Sequence, residues 1–465
     1  MRIYNTMTRQ KEELKPIHEN NVNIYCCGPT VYNLIHVGNA RALCVFDVLR
    51  RYLGYRGYNV KYIQNFTDVD DKIIRIANEK KVSPFDHAEA MIKEYFTDAH
   101  GLNIMDADIH PKATESIDII LDMIKTLIDK GYAYQSGSDV YFAANKDENY
   151  GKLSHMPLDE LREGASQRVD KTEQKRDPMD FAVWKGAKEG EPYWDSPYGK
   201  GRPGWHIECS AMSSHYVGGT LDIHGAGADL IFPHNENEIA QSECANGYPL
   251  ANIWMHNGML NVDNRKMSKS KGNFFLVREL SEKFGYEPIR FMLLSVQYRV
   301  QLNYTLEVME SAVASLDRLK TCKRALEKAI EAAKEGEASE KIISIAQKRK
   351  QQFIDAMDDD MNTADGITAV FELVREINTA ILDKDISRAS LECLKETFNE
   401  LVGVLGILYE KEEEIPREIL DLVEKRKEAR KNKDFALADS IRDQISSKGY
   451  IVEETRQGVN IKKIN

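Results

Sequence analysis

The chain reads as an α/β protein whose first half builds a parallel sheet and whose second half is helical. Three observations predict this. Val22 to Cys26 alternates as a short strand and ends in Gly28-Pro29; an apolar helical stretch follows from about Gly38 to Leu53; Asn59 to Phe66 reads as the next strand. Strand–helix–strand order is the unit from which a parallel, nucleotide-binding sheet is assembled. Beyond about Glu287 the periodicity turns almost wholly helical. At 465 residues and 53.1 kDa the chain exceeds one hydrophobic core, so roughly three or four domains of ~100–200 residues are expected.

In the first helix Leu43, Val45, Phe46, Val48 and Leu49 leave little polar face, so it should be buried against a sheet. Thr67-Asp68 reads as the cap of a helix beginning near Val69. From about Pro111 to Gly204 the pattern loosens. An amphipathic helix (Ile117 to Ile128) and an alternating strand (Asp139 to Ala143) precede a tract dense in Lys, Asp, Glu and Gly, the mark of an insertion. The sheet pattern resumes at Thr220 to His224 and at Ile253 to Asn257, then reaches Lys266-Met-Ser-Lys-Ser270. In the helical half, Leu316, Leu319, Leu326 and Ile330 stripe a charged helix that breaks at Lys334 to Ala338. Phe353 to Ile381 and Ser387 to Leu408 read as further bundle helices. After Pro416 comes a small terminal unit. It has a helix rich in Lys425, Arg426, Lys427, Arg430, Lys431 and Lys433, then possible strands at Tyr450 to Glu454 and Asn460 to Ile464.

Composition excludes several classes. Hydrophobic content of 42%, 29% charged residues and a mean hydropathy of -0.49 are those of a soluble globular chain. The best apolar run, Leu401 to Tyr409, is about half the ~20 residues that a membrane span needs. The start, Met-Arg-Ile-Tyr-Asn, lacks the apolar core of a signal peptide, so a cytoplasmic location is expected. Seven cysteines at irregular spacing argue against a disulfide framework and for metal or core roles. A net charge of -11 excludes a wholly basic nucleic-acid binder but leaves room for a local basic face.

Three strings carry chemistry. His234 and Glu238 stand four residues apart after Pro233, so on a helix both project from one face. Two more soft ligands would complete a zinc site, and cysteines in Tyr25 to Thr30 and Gly204 to Cys209 could supply them. His36-Val-Gly-Asn39 lies at a strand-to-helix junction, where free N–H groups and the helix dipole favour phosphate. Gly38 lets a nucleotide approach the backbone, and His36 and Asn39 can donate to phosphate oxygens. Lys266 and Lys269 put two ammonium groups on a loop of small residues, suited to charge appearing on a leaving pyrophosphate. Taken singly, the last two strings fit a plain helix start and a solvated basic turn. Occurring in that order, each after a strand, they reverse the judgement.

These strings, with Asn65-Phe-Thr-Asp-Val-Asp-Asp-Lys72, Asp222-Ile-His-Gly225, Asp358-Asp-Asp-Met-Asn-Thr363 and Lys433 to Asp443, resemble those of class I aminoacyl-tRNA synthetases, the cysteinyl-tRNA synthetases in particular. The resemblance covers essentially the whole chain. It implies a Rossmann-like catalytic domain over 1–265 with a connective insertion at about 111–204, a stem-contact region with the Lys-Met-Ser-Lys-Ser loop over 266–312, a helical bundle binding tRNA over 313–410, and a small α+β anticodon-recognition unit over 411–465. The implied activity is cysteine–tRNA ligation: ATP, L-cysteine and tRNA(Cys) give AMP, diphosphate and the charged tRNA. One Zn²⁺ per chain, Mg²⁺ with ATP, and a cytoplasmic monomer with no membrane contact belong to the same expectation.

By the resemblance the zinc ligands are Cys27, Cys209, His234 and Glu238. The family places its first ligand directly before the glycine, which selects Cys27 and leaves Cys26 to the core. His36, Gly38, Asn39, Lys266 and Lys269 are assigned to ATP and to the pyrophosphate side of the transition state; Thr67, Trp205, His224 and Asp229 line the amino-acid and adenylate pocket. A core role competes closely for Trp205 and is preferred for His206, His215 and His256. Zinc suits the task, because cysteine and serine differ by one atom and an apolar pocket rejects an isostere by only ~100-fold. Two departures stand out: Asn39 replaces the second histidine frequent in the phosphate motif, and Ile461 stands where the family usually has a tryptophan after Gly458.

Overall fold

A helix with so little polar surface must be enclosed, and Val37–Tyr55 is: Leu43, Val45, Phe46, Val48 and Leu49 are all buried. It lies on a sheet of four parallel strands. The computed structural model describes residues 1–156, 175–263, 265–266, 275–409, 416–432, 434–455 and 458–463. Across the sheet the strands run Ala251–Asn257, Leu221–Gly227, Asn21–Cys26, Asn59–Gln64. The chain leaves Asn21–Cys26 to one side and, after the insertion, returns on the other. Order therefore reverses between Asn21–Cys26 and Leu221–Gly227, where Cys26 pairs with Gly225. In such sheets ligands bind at the carboxyl ends of the strands flanking this reversal. Close seating of the helix needs Gly225, since a Cβ there would stand 2.4 Å from the Phe46 ring. Two polar residues on the helix are buried with it. Asp47 pairs with Arg290 and Arg51, whereas Arg41 donates to main-chain carbonyls.

An N-terminal hairpin, Arg2–Asn5 with Gln10–Glu13, is fastened to the outer strand of the sheet: Asn5 Oδ1 accepts from Trp254 N and Thr6 N donates to Trp254 O, at 3.0 and 2.9 Å. A second, antiparallel sheet of Ala133–Ser136, Asp139–Phe142, Phe181–Gly186 and Gly201–Pro203 has its own core. Ile120, Ile124 and Leu127 of the helix Ile117–Asp129 pack there against Val140, Phe142 and Trp184. A third small sheet pairs Leu260–Val262 with Arg265–Lys266 and with Leu302–Tyr304. The helices Leu306–Ala332, Glu340–Asp358, Thr363–Ala380 and Arg388–Leu405 pack together as a bundle. After it come the helices Arg417–Lys431 and Phe435–Ser447 and the hairpin Tyr450–Thr455 with Gly458–Lys463. Lys433 is outside the described residues. Among the described residues no helix is long and apolar enough to cross a membrane.

Two local expectations are corrected. Thr67-Asp68 does not cap the next helix; Asp70 does, its carboxylate accepting from Lys72 N, and the helix is Asp71–Lys80. Asp68 instead accepts from Thr114 N and Oγ1, tying the sheet to the start of the insertion. Phe353 to Ile381 is not continuous: the chain turns at Asp360 and Met361, whose φ values are 67° and 51°. The Asp360 carboxylate takes hydrogen bonds from Tyr4 N, Tyr298 Oη and Arg299 Nε. These distant partners stabilise a left-handed backbone that the local sequence does not announce.

Candidate metal centre and nucleotide cleft

The reversal point of the sheet is where the site assembles. Cys27 is the first residue past Asn21–Cys26, and its N–H still reaches Gly225 O at 3.1 Å. Strand alternation turns Cys26 into the helix-covered core, where burial pushes its thiol up to about 12. Cys27 faces the other side. Gly28 must follow, because a Cβ there would lie 1.6 Å from Asn65 O. Cys209 comes from the helix Trp205–Val217. His234 sits on a wide turn, Ile231–Asn235, that leads into the helix Glu236–Asn246 carrying Glu238.

Donor atoms of Cys27, Cys209, His234 and Glu238 all lie within 4.8 Å of one another. Three of these residues are buried and Cys27 is half-buried. The Glu238 carboxylate is the hub: Oε1 accepts from His234 Nε2 at 2.8 Å, Asn235 Nδ2 at 2.9 Å and Cys27 Sγ at 3.3 Å, while Oε2 meets His224 Nε2 at 2.7 Å. Burial would raise its pKa, but His224 and His234 outweigh burial and hold it well below the carboxylate range. For His234, burial pulls down while Glu238 and Cys209 lift it to about 10. Of the two thiols, the hydrogen bond from Cys27 and the neighbouring His234 bring Cys209 down to about 6, against burial. Burial pushes Cys27 up. Charges so deeply buried need pairing or a cation, and two sulfurs, an imidazole and a carboxylate make a donor set that can hold a metal ion.

The other expected residues surround this centre unevenly. His224, buried and stacked 4.2 Å from Trp254, lies against Glu238 rather than facing open space. Thr67 Oγ1 donates to Glu208 Oε2 at 2.8 Å, one residue from Cys209. Trp205 is 37% exposed with its ring 4.4 Å from the His234 ring, so it is no core residue. Asp229 is exposed on the turn Ala228–Leu230 that follows the strand Leu221–Gly227. His256 is buried as expected; His206 is half-buried with Nδ1 2.9 Å from His234 Nδ1. His215 is exposed near the end of its helix, against the expected core role, because its helix face there turns to solvent.

On the nucleotide side, His36 caps the helix Val37–Tyr55. Its Nδ1 accepts from Asn39 N at 3.1 Å, and Asn39 Oδ1 accepts from His36 N at 3.2 Å. These atoms are engaged in the helix start, where Ala40 N is also bonded, to His36 O at 3.1 Å. The segment Phe275–Val277 runs alongside, with Val37 N bonded to Phe275 O and Val277 N to Ile35 O. Lys266 ends the short strand Arg265–Lys266; its side chain, and all of Lys269, lie outside the described residues.

Sequence reasoning passed over Asn235, Asn65 and Glu208. Asn235 stands inside the string that carries the two ligands, yet on a regular helix a residue next to His234 would point about 100° away. The wide turn brings both to one side.

Known proteins resemble this chain in sequence and in fold. Residues 13–314 match the tRNA synthetases class I (C) catalytic domain, and residues 352–409 the DALR domain. The chain is 52% identical over 468 residues to a cysteine–tRNA ligase of Caldicellulosiruptor saccharolyticus and 51% identical to one of Clostridioides difficile, with 100% of each chain covered. A methionyl-tRNA synthetase of Mycobacterium tuberculosis with methionyl-adenylate shares the fold at a TM-score of 0.60 and 16% identity, over 83% of this chain and 89% of that one. A leucyl-tRNA synthetase ternary complex of Agrobacterium radiobacter does so at 0.58 and 10%, over 85% of each. With its fold, its centre at the sheet reversal and its full-length relatives, the chain belongs to the cysteine–tRNA ligase family of class I tRNA synthetases.

Proposed function

We propose that this chain joins L-cysteine and ATP into cysteinyl-adenylate, passes the cysteinyl group to the 3′ end of tRNA(Cys), and selects its amino acid through a zinc ion. The observation that carries this reading is the convergence of Cys27, Cys209, His234 and Glu238 within 4.8 Å at the ligand-binding end of the sheet. The donor set fits: two thiols and an imidazole are soft enough for zinc, and the cluster already holds Glu238 and Cys209 toward their anionic forms. When bound, zinc supplies a soft Lewis acid that takes a thiolate in strong preference to an alcohol.

The chain's own residues do the rest. Trp205, exposed above His234, and His224, against Glu238, wall the place where a cysteine side chain would reach the centre. Thr67 and Asp229 border the same end of the sheet and are assigned to the amino-acid and adenylate pocket. The helix start at His36, Gly38 and Asn39 receives ATP phosphates, and Mg²⁺ accompanies the nucleotide. The cysteine carboxylate attacks the α-phosphorus in line, the bond to the β-phosphate oxygen breaks, and pyrophosphate leaves. Lys266 and Lys269 stabilise the charge that collects on it. No enzyme nucleophile takes part. Attack by a terminal hydroxyl of the tRNA on the adenylate carbonyl then releases AMP. We assign 1–265 to catalysis, 266–312 to the stem-contact region, and 313–410 and 411–465 to tRNA; the basic face of Arg417–Lys431 is the candidate backbone contact. A monomer in the cytoplasm suits this role.

The test is amino-acid-dependent ATP–pyrophosphate exchange with cysteine and with serine, before and after removal of metal by a chelator. Exchange with cysteine only, lost with the metal and restored by Zn²⁺, is expected. Equal exchange with serine, or indifference to chelation, refutes the selection by zinc.

A further inference from the structure

We propose that Asn235 is a positioning residue of the metal site: its side-chain amide, locked from behind by His256 and Thr6, aims its two N–H groups at Glu238 and Cys27. The proposal deepens the metal-dependent reading above and rests on it. Asn235 is fully buried at the end of the wide turn that carries His234. Each side-chain polar atom has a partner. Nδ2 donates to Glu238 Oε1 at 2.9 Å and to Cys27 Sγ at 3.5 Å, while Oδ1 accepts from His256 Nε2 at 3.1 Å.

The direction of these bonds follows from the Glu238 carboxylate, whose oxygen accepts, so Nδ2 faces it and Oδ1 faces His256. Thr6 Oγ1 lies 2.8 Å from His256 Nδ1. The imidazole is buried, which drives its pKa down to about 3, so the ring is neutral and carries a single hydrogen. Facing Asn235 Oδ1, an acceptor, Nε2 carries that hydrogen, which leaves Nδ1 to accept from the Thr6 hydroxyl. A flipped amide would set N–H against N–H at His256 and an oxygen against the Glu238 carboxylate. Only one orientation is therefore allowed. Thr6 itself is held by its own N–H to Trp254 O at 2.9 Å, in the hairpin that borders the sheet. The line Thr6–His256–Asn235 thus braces from the N-terminal hairpin the amide orientation that serves two ligand atoms.

Such a chain has a clear use. Two thiolates and a carboxylate bring more negative charge than one divalent cation neutralises, and further thiolate from a substrate adds to it. Amide hydrogens on Cys27 Sγ and Glu238 Oε1 disperse that charge and hold both lone pairs in one direction, as partners behind metal ligands commonly do.

The experiment uses the full-length protein loaded with Zn²⁺ or Co²⁺. Metal affinity is measured by competition with a chromogenic chelator, and the ligand geometry by the thiolate-to-cobalt absorption band. Asn235→Ala should weaken binding ~10–100-fold and alter the cobalt band, the usual loss when such a partner is removed. Asn235→Asp should weaken it further, because an acceptor-only group then faces Glu238 and Cys27. Thr6→Val, which leaves every residue at the centre in place, should cause a smaller loss of the same sign and decides the matter should Asn235→Ala fail to fold. Affinity and cobalt spectrum equal to the parent in both Asn235→Ala and Thr6→Val overturn the proposal. Cys209→Ser is measured alongside: if it abolishes binding while the other variants do not, only the role of Asn235 falls, and if it too changes nothing, the metal site itself was misassigned.

Discussion

Replacing Arg41 with methionine should slow adenylate formation while leaving metal content intact. Arg41 lies on the helix that His36 caps, fully buried, and among the described residues its guanidinium faces no carboxylate. It donates instead to four main-chain carbonyls: Gly258 at 2.8 Å, Met259 at 2.9 Å, Gln297 at 3.4 Å and Val300 at 2.5 Å. The first two precede the strand Leu260–Val262 and the others precede Leu302–Tyr304, the two strands of the small sheet on which Arg265–Lys266 is built. Arg41 therefore ties the helix of the first nucleotide motif to the platform of the second. Methionine keeps the length and removes every donor. A buried carbonyl left without a partner costs ~1–3 kcal/mol. Four such carbonyls lose a partner, and release of a desolvated cation offsets part of the sum, so a net loss on the order of a few kcal/mol is expected. If the platform shifts by ~1 Å to regain water, positioning alone costs about 100-fold in rate. The assays are cysteine-dependent ATP–pyrophosphate exchange, thermal melting and zinc content on the same samples. Arg41→Lys should recover only part of the activity, since a single ammonium cannot span four carbonyls. Parent-like exchange in Arg41→Met would refute the coupling, and an equal fall in zinc content would show that the whole fold had been damaged.

Further outcomes are expected. Cys209→Ser removes the thiol held nearest its anionic form, at about 6, so zinc content and selection of cysteine over serine should both fall; unchanged values for both would remove Cys209 from the ligand set. Lys269→Ala should slow adenylate formation at least ~10-fold with metal retained, measured by pyrophosphate exchange, as for other charge-stabilising groups. Truncation before Arg417 should weaken tRNA charging more than pyrophosphate exchange, whereas equal effects would make the terminal unit structural. Alkaline stability should depend on the Cys44 thiol, which burial pushes up from 9.0 to about 12. Above pH 9.0 the unfolded chain loses this proton while the folded one keeps it, so stability present below that pH declines until about 12. The slope is about 1.4 kcal/mol per pH unit. Melting of Cys44→Ala across this range should show a flatter decline, and an identical slope would place the transition elsewhere.

Much of the site was legible because its residues are tied to short, strongly patterned strings. Val22 to Cys26 alternates, so its last residue faces one side and Cys27 the other; period-two geometry separates the two thiols, and the family pattern selects Cys27 as the ligand. His234 and Glu238 are four apart, and they meet at 2.8 Å although His234 stands on the wide turn that leads into the helix of Glu238. What was not legible depends on partners far along the chain. Nothing near Thr67 says that its hydroxyl meets Glu208, or that Asp70 rather than Asp68 starts the next helix. Nothing near Asp360 announces a left-handed turn, because the groups that hold it are Tyr4, Tyr298 and Arg299.

The amino-acid order by itself determined the parallel sheet, the insertion, the helical second half, the family strings and the one-face pairing of His234 with Glu238, while the full set of four candidate ligands came from the family resemblance. Apart from that set, each of these rests on local periodicity or on residue types within a few positions of one another. Only the tertiary structure decided that Thr6 and His256 stand behind Asn235, that Arg41 holds two distant loops, and that Trp205 is exposed over His234 while His224 is enclosed. Hydrogen-bond direction and burial are set by what packs against a residue from hundreds of positions away, and no local pattern encodes that.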